Sequence, residues 1–198
     1  MTPTRSLDPP ARDVSPTVLV EALLLRHDPV EGFAYRRLIT TLSGRARPDD
    51  TARRLALPAG HDEGHLVHST SWRATDDGKI VLTYLIHPDP APCLPGTPLP
   101  APHAIARSPR PGHPTPPDLN PHHVAAHAVR HLAFLSRTDP AVAAHLASRE
   151  GTRDALDSLP GVPAGQLNQV QGVQKGAPEA APRSAEESLR APLTHGAL

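Results

Sequence analysis

The sequence has few of the residues that cross-link a small protein or anchor it to a membrane. Cys93 is the only cysteine among 198 residues, so the chain can form neither an internal disulfide nor a thiolate zinc site. No apolar run reaches the roughly 18 residues that a membrane helix needs, and the N-terminus carries prolines and aspartates where a signal peptide is apolar. These absences predict a protein of the reducing cytoplasm with no membrane partner.

The chain also has no excess of charge. Its 20 basic residues match 20 acidic ones, which gives a formal net charge of zero with histidine neutral. A neutral chain has no general attraction for nucleic acid, so no nucleic-acid partner is expected. Lysine is rare, since Lys79 and Lys175 are the only two, whereas arginine, alanine, proline and histidine are abundant. This composition is typical of a GC-rich bacterial genome. Several of the 13 histidines can therefore reflect codon bias and not a function.

Proline is in excess, and its distribution divides the chain. The 26 prolines are too many for strands and helices to absorb, so the folded part must be shorter than the chain. Residues 1–16 and 151–198 contain little to bury and are predicted to be disordered. A single α+β domain is predicted over residues 17–150. Within it, the proline-rich residues 88–121 are predicted to form a long loop that acts as a spacer.

The clearest structural signal is a β-hairpin over residues 63–90. Residues 75–79, Thr-Asp-Asp-Gly-Lys, predict a type I turn with a left-handed glycine, which places Thr75 opposite Lys79. Trp72 and Tyr84 are therefore predicted to be interior aromatics. In this register the predicted core face carries Leu66, His68, Thr70, Trp72, Ile80, Leu82, Tyr84 and Ile86.

The remaining elements are predicted from apolar spacing and capping signals. Residues 17–26 form an apolar run of strand length, although a helix remains an alternative. Cap-then-proline signatures and helical spacing predict helices over residues 29–43, 49–57, 121–137 and 140–149, the last of them ended by Gly151. Together these elements predict a small, mostly antiparallel sheet that helices cover on one face.

Three histidines on the third predicted helix suggest a metal site. His123, His127 and His131 lie four residues apart, a spacing that stacks side chains one helical turn above another. Together with His68 or His87 from the hairpin they could bind zinc or another divalent metal with a position left open for water. The sequence HVAAH lacks the glutamate of the HExxH motif. The alternative is that these histidines border the apolar face and bind no metal.

A second candidate site lies on the polar face of the hairpin. Hydroxyl groups and one guanidinium there could hydrogen-bond an anionic ligand, and the residues concerned are Ser69, Ser71, Arg73 and Thr83. The alternative is an ordinary solvated sheet face.

No motif in the sequence combines a nucleophile, a base and an electrophile, and no GxSxG elbow, P-loop or GxGxxG fingerprint is present. The sequence therefore favours a non-catalytic cytoplasmic binding or accessory protein, with a protein or a small molecule as its partner. The alternative is a small metal-dependent hydrolase that uses the helix histidines with His68. A homodimer is expected, because a domain of this size buries a modest core.

Overall fold

A five-stranded sheet organises the chain in the computed structural model, which describes residues 16–59, 63–110 and 115–163. The strands are β1 (Val18–Asp28), β2 (Gly32–Thr41), β3 (Leu66–Ala74), β4 (Ile80–His87) and β5 (Thr97–Pro98). The helices are α1 (Pro48–Ala56), α2 (Pro121–Thr138), α3 (Pro140–Leu146) and α4 (Glu150–Asp157).

The strand order is β3-β4-β1-β2-β5, and every neighbouring pair is antiparallel except β1 with β4. This architecture confirms the predicted α+β class and the mostly antiparallel sheet. None of the helices in the described segments is long and apolar enough to cross a membrane. Of the segments predicted to be disordered, residues 1–15 and 164–198 lie outside the described ranges, whereas residues 151–163 are described and contain most of α4.

Strand β1 lies in the centre of the sheet and is buried on both faces, which confirms the strand prediction for residues 17–26. Ala22 and Leu24 pack in the cluster that includes α1, whereas Leu23 and Leu25 pack in the cluster formed with α2, α3 and α4. Helices therefore cover both faces of the sheet and not the single face predicted. The physical reason is that a strand with apolar residues on both sides needs a cover on both sides.

The helix predicted over residues 29–43 is wrong, because this segment forms a turn followed by β2. The carboxylate of Asp28 accepts hydrogen bonds from the backbone N–H groups of Val30 and Glu31, and Gly32 has a φ of +79°. The chain therefore reverses and pairs with β1 from Gly32 to Thr41. Pairing along the central strand outweighs the helical spacing of the apolar residues, since local propensity is a weak preference that tertiary contacts override.

A β-bulge at Thr70 changes the predicted register of the hairpin. Pairing follows the prediction from Ala74 opposite Ile80 to Ser71 opposite Thr83, and beyond the bulge Ser69 pairs with Tyr84. One inserted residue moves every side chain beyond it to the opposite face. For residues 66–69 of β3, the predicted assignment of side chains to the two faces of the sheet is therefore reversed.

Two side chains of β3 lie where the sequence did not place them, and the bulge accounts for the first of them. His68 pairs with Leu85, so it lies on the face covered by α2 and not on the face of Ile86. Trp72 was predicted to be interior but is 68% exposed, whereas Tyr84 is buried as predicted. The hairpin's core contribution therefore comes from β4 more than from β3.

Helices α2 and α3 begin at the residues that the capping signals indicate. The side chain of Asn120 accepts a hydrogen bond from the His123 backbone N–H, and the side chain of Asp139 accepts one from that of Ala141. Helix α4 was not predicted and runs through Gly151. Its Leu156 is fully buried in the core, so the folded region continues past the predicted boundary at residue 150.

Part of the proline-rich loop packs against the sheet, so this part is not the spacer that the sequence predicted. It supplies the short edge strand β5 and the buried side chain of Leu99. Near the start of the loop, the buried carboxylate of Asp89 accepts two hydrogen bonds from Arg36, at 2.8 and 2.5 Å. Burial alone would raise the pKa of Asp89, but the hydrogen bonds from Arg36 and from the Ala91 N–H outweigh burial and lower it.

We expect Asp89→Ala to lower the free energy of unfolding by about 2–3 kcal/mol, because the change leaves the partly buried Arg36 guanidinium without its carboxylate. Urea unfolding followed by circular dichroism measures the loss. Asp118→Ala is the matched control, since Asp118 lies exposed in the same loop. Equal stability of the two variants would contradict the anchoring role of Asp89.

Candidate functional site

A cavity of about 460 Å³ lies between β3, the first half of α2 and the proline-rich loop. We refer to it as the β3–α2 cavity. The described residues that line it are Ser71, Trp72, Arg73, Ala74, Ile105, Ala106, Thr115, Pro116, Leu119, His123, Val124 and His127. Most of the lining surface is apolar, and a few polar groups are placed within it. This is the usual composition of a small-molecule site.

The cavity brings together residues from both candidate sites of the sequence. Ser71 and Arg73 come from the predicted anion site, and His123 and His127 come from the predicted metal site. The other two residues of the predicted anion site do not line the cavity. Ser69 is exposed and pairs with Tyr84, and Thr83 is fully buried.

Below Arg73 lies a buried ion-pair network centred on Glu21. The Glu21 side chain is 1% exposed and accepts hydrogen bonds from Arg73 Nη1 at 2.8 Å and Nη2 at 2.9 Å. It also accepts one from Arg37 Nε at 2.6 Å and one from the Thr83 hydroxyl at 2.7 Å. Four donors therefore surround one carboxylate, which satisfies its hydrogen-bonding capacity.

The network holds Glu21 ionised. Burial alone would raise the pKa of this carboxyl group, but the hydrogen bond and charge of Arg73, together with the bonds from Thr83 and Arg37, lower it. Our reading of the sequence did not single out Glu21. The signal that could have found it is a lone acidic residue within the apolar run TVLVEALLLR, since a carboxylate is rarely buried unless it is paired.

The helix histidines meet the hairpin at a single contact. The Nε2 atoms of His68 and His131 are 3.1 Å apart, and the two rings are stacked with centroids 5.2 Å apart. The ring of His127 stacks one turn away, with its centroid 6.4 Å from that of His131. Burial lowers the pKa of both His127 and His131, and the neighbouring imidazoles add to the shift at His131.

The Nδ1 atoms of His123 and His127 are buried and have no hydrogen-bond partner among the described residues. A buried polar atom without a partner is unfavourable, so a bound molecule that supplied one would be stabilised. Within the described segments, no group of three or more His, Cys, Asp or Glu side chains has a geometry that could hold a metal ion. The metal site of His123, His127, His131 and His68 therefore stays a prediction, in which only His68 and His131 are in hydrogen-bonding contact.

A second histidine pair, His87 and His145, links β4 to α3. His87 Nδ1 lies 3.0 Å from His145 Nε2, and His87 is 2% exposed. Burial, with the positive charge of Arg149 and nearby histidines, lowers the pKa of His87 to about 3 and that of His145 to about 4. The sequence suggested His87 as an alternative to His68 in a metal site with the three α2 histidines. In the structure His87 is instead hydrogen-bonded to His145 of α3.

The fold and the β3–α2 cavity define an α+β protein with a ligand-sized cavity between sheet, helix and loop. Comparison of the chain with models of known protein families, with curated proteins and with solved structures found no significant match.

Proposed function

We propose that this protein is a non-catalytic cytoplasmic binding protein and that its ligand is a small, largely apolar molecule held in the β3–α2 cavity. The observation that carries the proposal is the cavity itself. Its volume of about 460 Å³ lies in the range of ligand sites, and it opens between elements that the core holds in place. Ile105, Leu119 and Val124 supply apolar contacts from the loop and from α2.

The arrangement of polar groups favours binding over catalysis. Ser71 and Thr115 supply the hydroxyl groups of the described lining, and neither makes a hydrogen bond to a histidine that would activate it as a nucleophile. The Arg73 guanidinium is engaged by Glu21. The alternative of a metal-dependent hydrolase has only the contact between His68 and His131 in its favour.

Trp72 provides a direct assay of ligand binding, since it is the only tryptophan and it lines the cavity. The probe is N-phenyl-1-naphthylamine, an uncharged apolar dye that accepts energy from tryptophan. We expect saturable binding of one dye per chain, with quenching of Trp72 emission and sensitised emission from the dye.

Ser71→Phe tests whether the dye occupies the cavity, because the phenyl ring would fill part of its volume. We expect the affinity for the dye to fall by at least about tenfold, which corresponds to about 1.4 kcal/mol. Ser69→Phe is the matched control, since Ser69 is on the same strand but is exposed and does not line the cavity. Melting curves of both variants report whether the fold is kept. Equal dye affinity in the two variants would contradict the proposal.

A further inference from the structure

We infer that the ligand of the β3–α2 cavity is an organic anion, an apolar body that carries one negatively charged group such as a carboxylate or a sulfonate. The inference rests on the proposed binding function and adds the charge of the ligand to it. Two features of the described residues support it: a surplus of positive charge below the cavity and a lining without acidic residues.

The surplus comes from the ratio of arginine to glutamate in the buried network. Arg37 and Arg73 both donate to Glu21, so two guanidinium groups share one carboxylate and the group carries a formal charge of +1. Glu21 accepts four hydrogen bonds from these arginines and Thr83, so its lone pairs are fully used. The remaining positive charge has no second carboxylate within this network.

The position of Arg73 places this charge at the cavity. Its guanidinium group takes part in the network, while the residue also forms part of the cavity lining. No Asp or Glu is present among the described residues that line the cavity, so nothing in that lining offsets the charge. Beside a largely apolar surface the local dielectric constant is lower than in water, so a positive charge there attracts an anion more strongly than it would in open solvent.

Two histidines of the cavity lining carry ring nitrogens without a hydrogen-bond partner among the described residues. His123 Nδ1 and His127 Nδ1 are buried without partners, and a neutral imidazole donates from one ring nitrogen while the other can accept. These nitrogens can therefore bond a polar group of the ligand as donor or as acceptor, according to the tautomer, and the inferred charge of the ligand rests on the arginines alone.

The test compares two dyes with the same aromatic body. Anilinonaphthalenesulfonate carries a sulfonate, whereas N-phenyl-1-naphthylamine is uncharged, and energy transfer from Trp72 reports binding of both. Arg37→Gln removes one guanidinium and leaves Glu21 paired with Arg73, so the network becomes neutral. We expect this variant to bind the sulfonate dye about fivefold more weakly and the uncharged dye unchanged. The matched control, Arg45→Gln, removes an exposed arginine and should change neither affinity.

A second measurement does not depend on any variant. Added salt should weaken binding of the sulfonate dye to the unaltered protein and leave binding of the uncharged dye unchanged, because salt screens only the charged interaction. If the uncharged dye binds in the cavity while the sulfonate dye shows neither salt dependence nor an effect of Arg37→Gln, the inference about charge is overturned and the binding function stands. If neither dye binds, the binding function fails as well.

Discussion

Glu21→Ala is expected to lower the free energy of unfolding by about 3–5 kcal/mol, the usual cost of breaking a buried ion pair by removing one partner. The change leaves Arg73, whose side chain is 16% exposed, without its counter-ion and leaves the Thr83 hydroxyl without its acceptor. Denaturant unfolding at neutral pH measures the loss.

Two further variants separate the ion pair from simple loss of volume. Arg37→Gln should cost less than about 1 kcal/mol, because the Arg37 side chain is 36% exposed and water can replace its contacts. The double variant Glu21→Met with Arg73→Met should be more stable than Glu21→Ala, since it removes both buried charges together. A loss below about 1 kcal/mol for Glu21→Ala would refute a buried, desolvated network.

The pH dependence of the Glu21 contribution follows from its lowered pKa. A carboxyl group with a folded pKa below its ordinary value of 4.5 stabilises the fold above that value. This stabilisation is lost as the pH falls through the folded pKa. Near pH 6, Glu21 is therefore ionised in both states and adds no pH dependence.

The second large effect is acid destabilisation through His87 and His145. The ordinary histidine pKa is 6.5, whereas the folded values are about 3 for His87 and about 4 for His145. Below pH 6.5 these two histidines therefore bind protons in the unfolded chain before they do so in the folded chain. The folded state therefore has its full stability above pH 6.5 and loses stability as the pH falls from 6.5 toward 4. Because His87 is nearly fully buried, we expect it to account for about 2–3 kcal/mol of this loss.

The groups that face His87 explain why a proton on its ring is not stabilised by an opposite charge. Arg149, His65 and His27 face His87, and all of them are basic. His87→Leu replaces the imidazole with an apolar side chain and should flatten the stability profile between pH 6.5 and 4, as measured by urea unfolding at several pH values. His103→Ala is the control, because His103 is exposed. A variant profile as steep as that of the unaltered protein would show that His87 does not cause the acid loss.

The elements that were predicted correctly have local signals that tertiary packing reinforces. Helix α2 begins at Asn120 and Pro121 as its cap indicates, and β1 is a strand as its apolar run indicates. The turn over residues 75–79 set the hairpin register correctly as far as Ser71. At these places propensity, capping and burial favour the same structure.

The elements that were missed depend on pairing and packing with other elements of the fold. Residues 29–43 have the spacing of an amphipathic helix, yet an available edge of β1 made them a strand. The bulge at Thr70 has no local signature, and it turned His68 toward His131. Trp72 keeps its predicted pairing with Leu82 and is nevertheless exposed. The packing of the proline-rich loop required its ion pair with Arg36, a residue of a different strand.

The sequence by itself determined the α+β class, the hairpin turn, the capped helices and the residue types available to a site, because these follow from local backbone preference and apolar pattern. Only the tertiary structure decided that Ser71, Arg73, His123 and His127 share one cavity, and that Glu21 lies paired beneath it. The physical reason is that a site depends on which faces of distant elements meet. A single bulge or strand pairing can reverse that choice without changing the composition of either element.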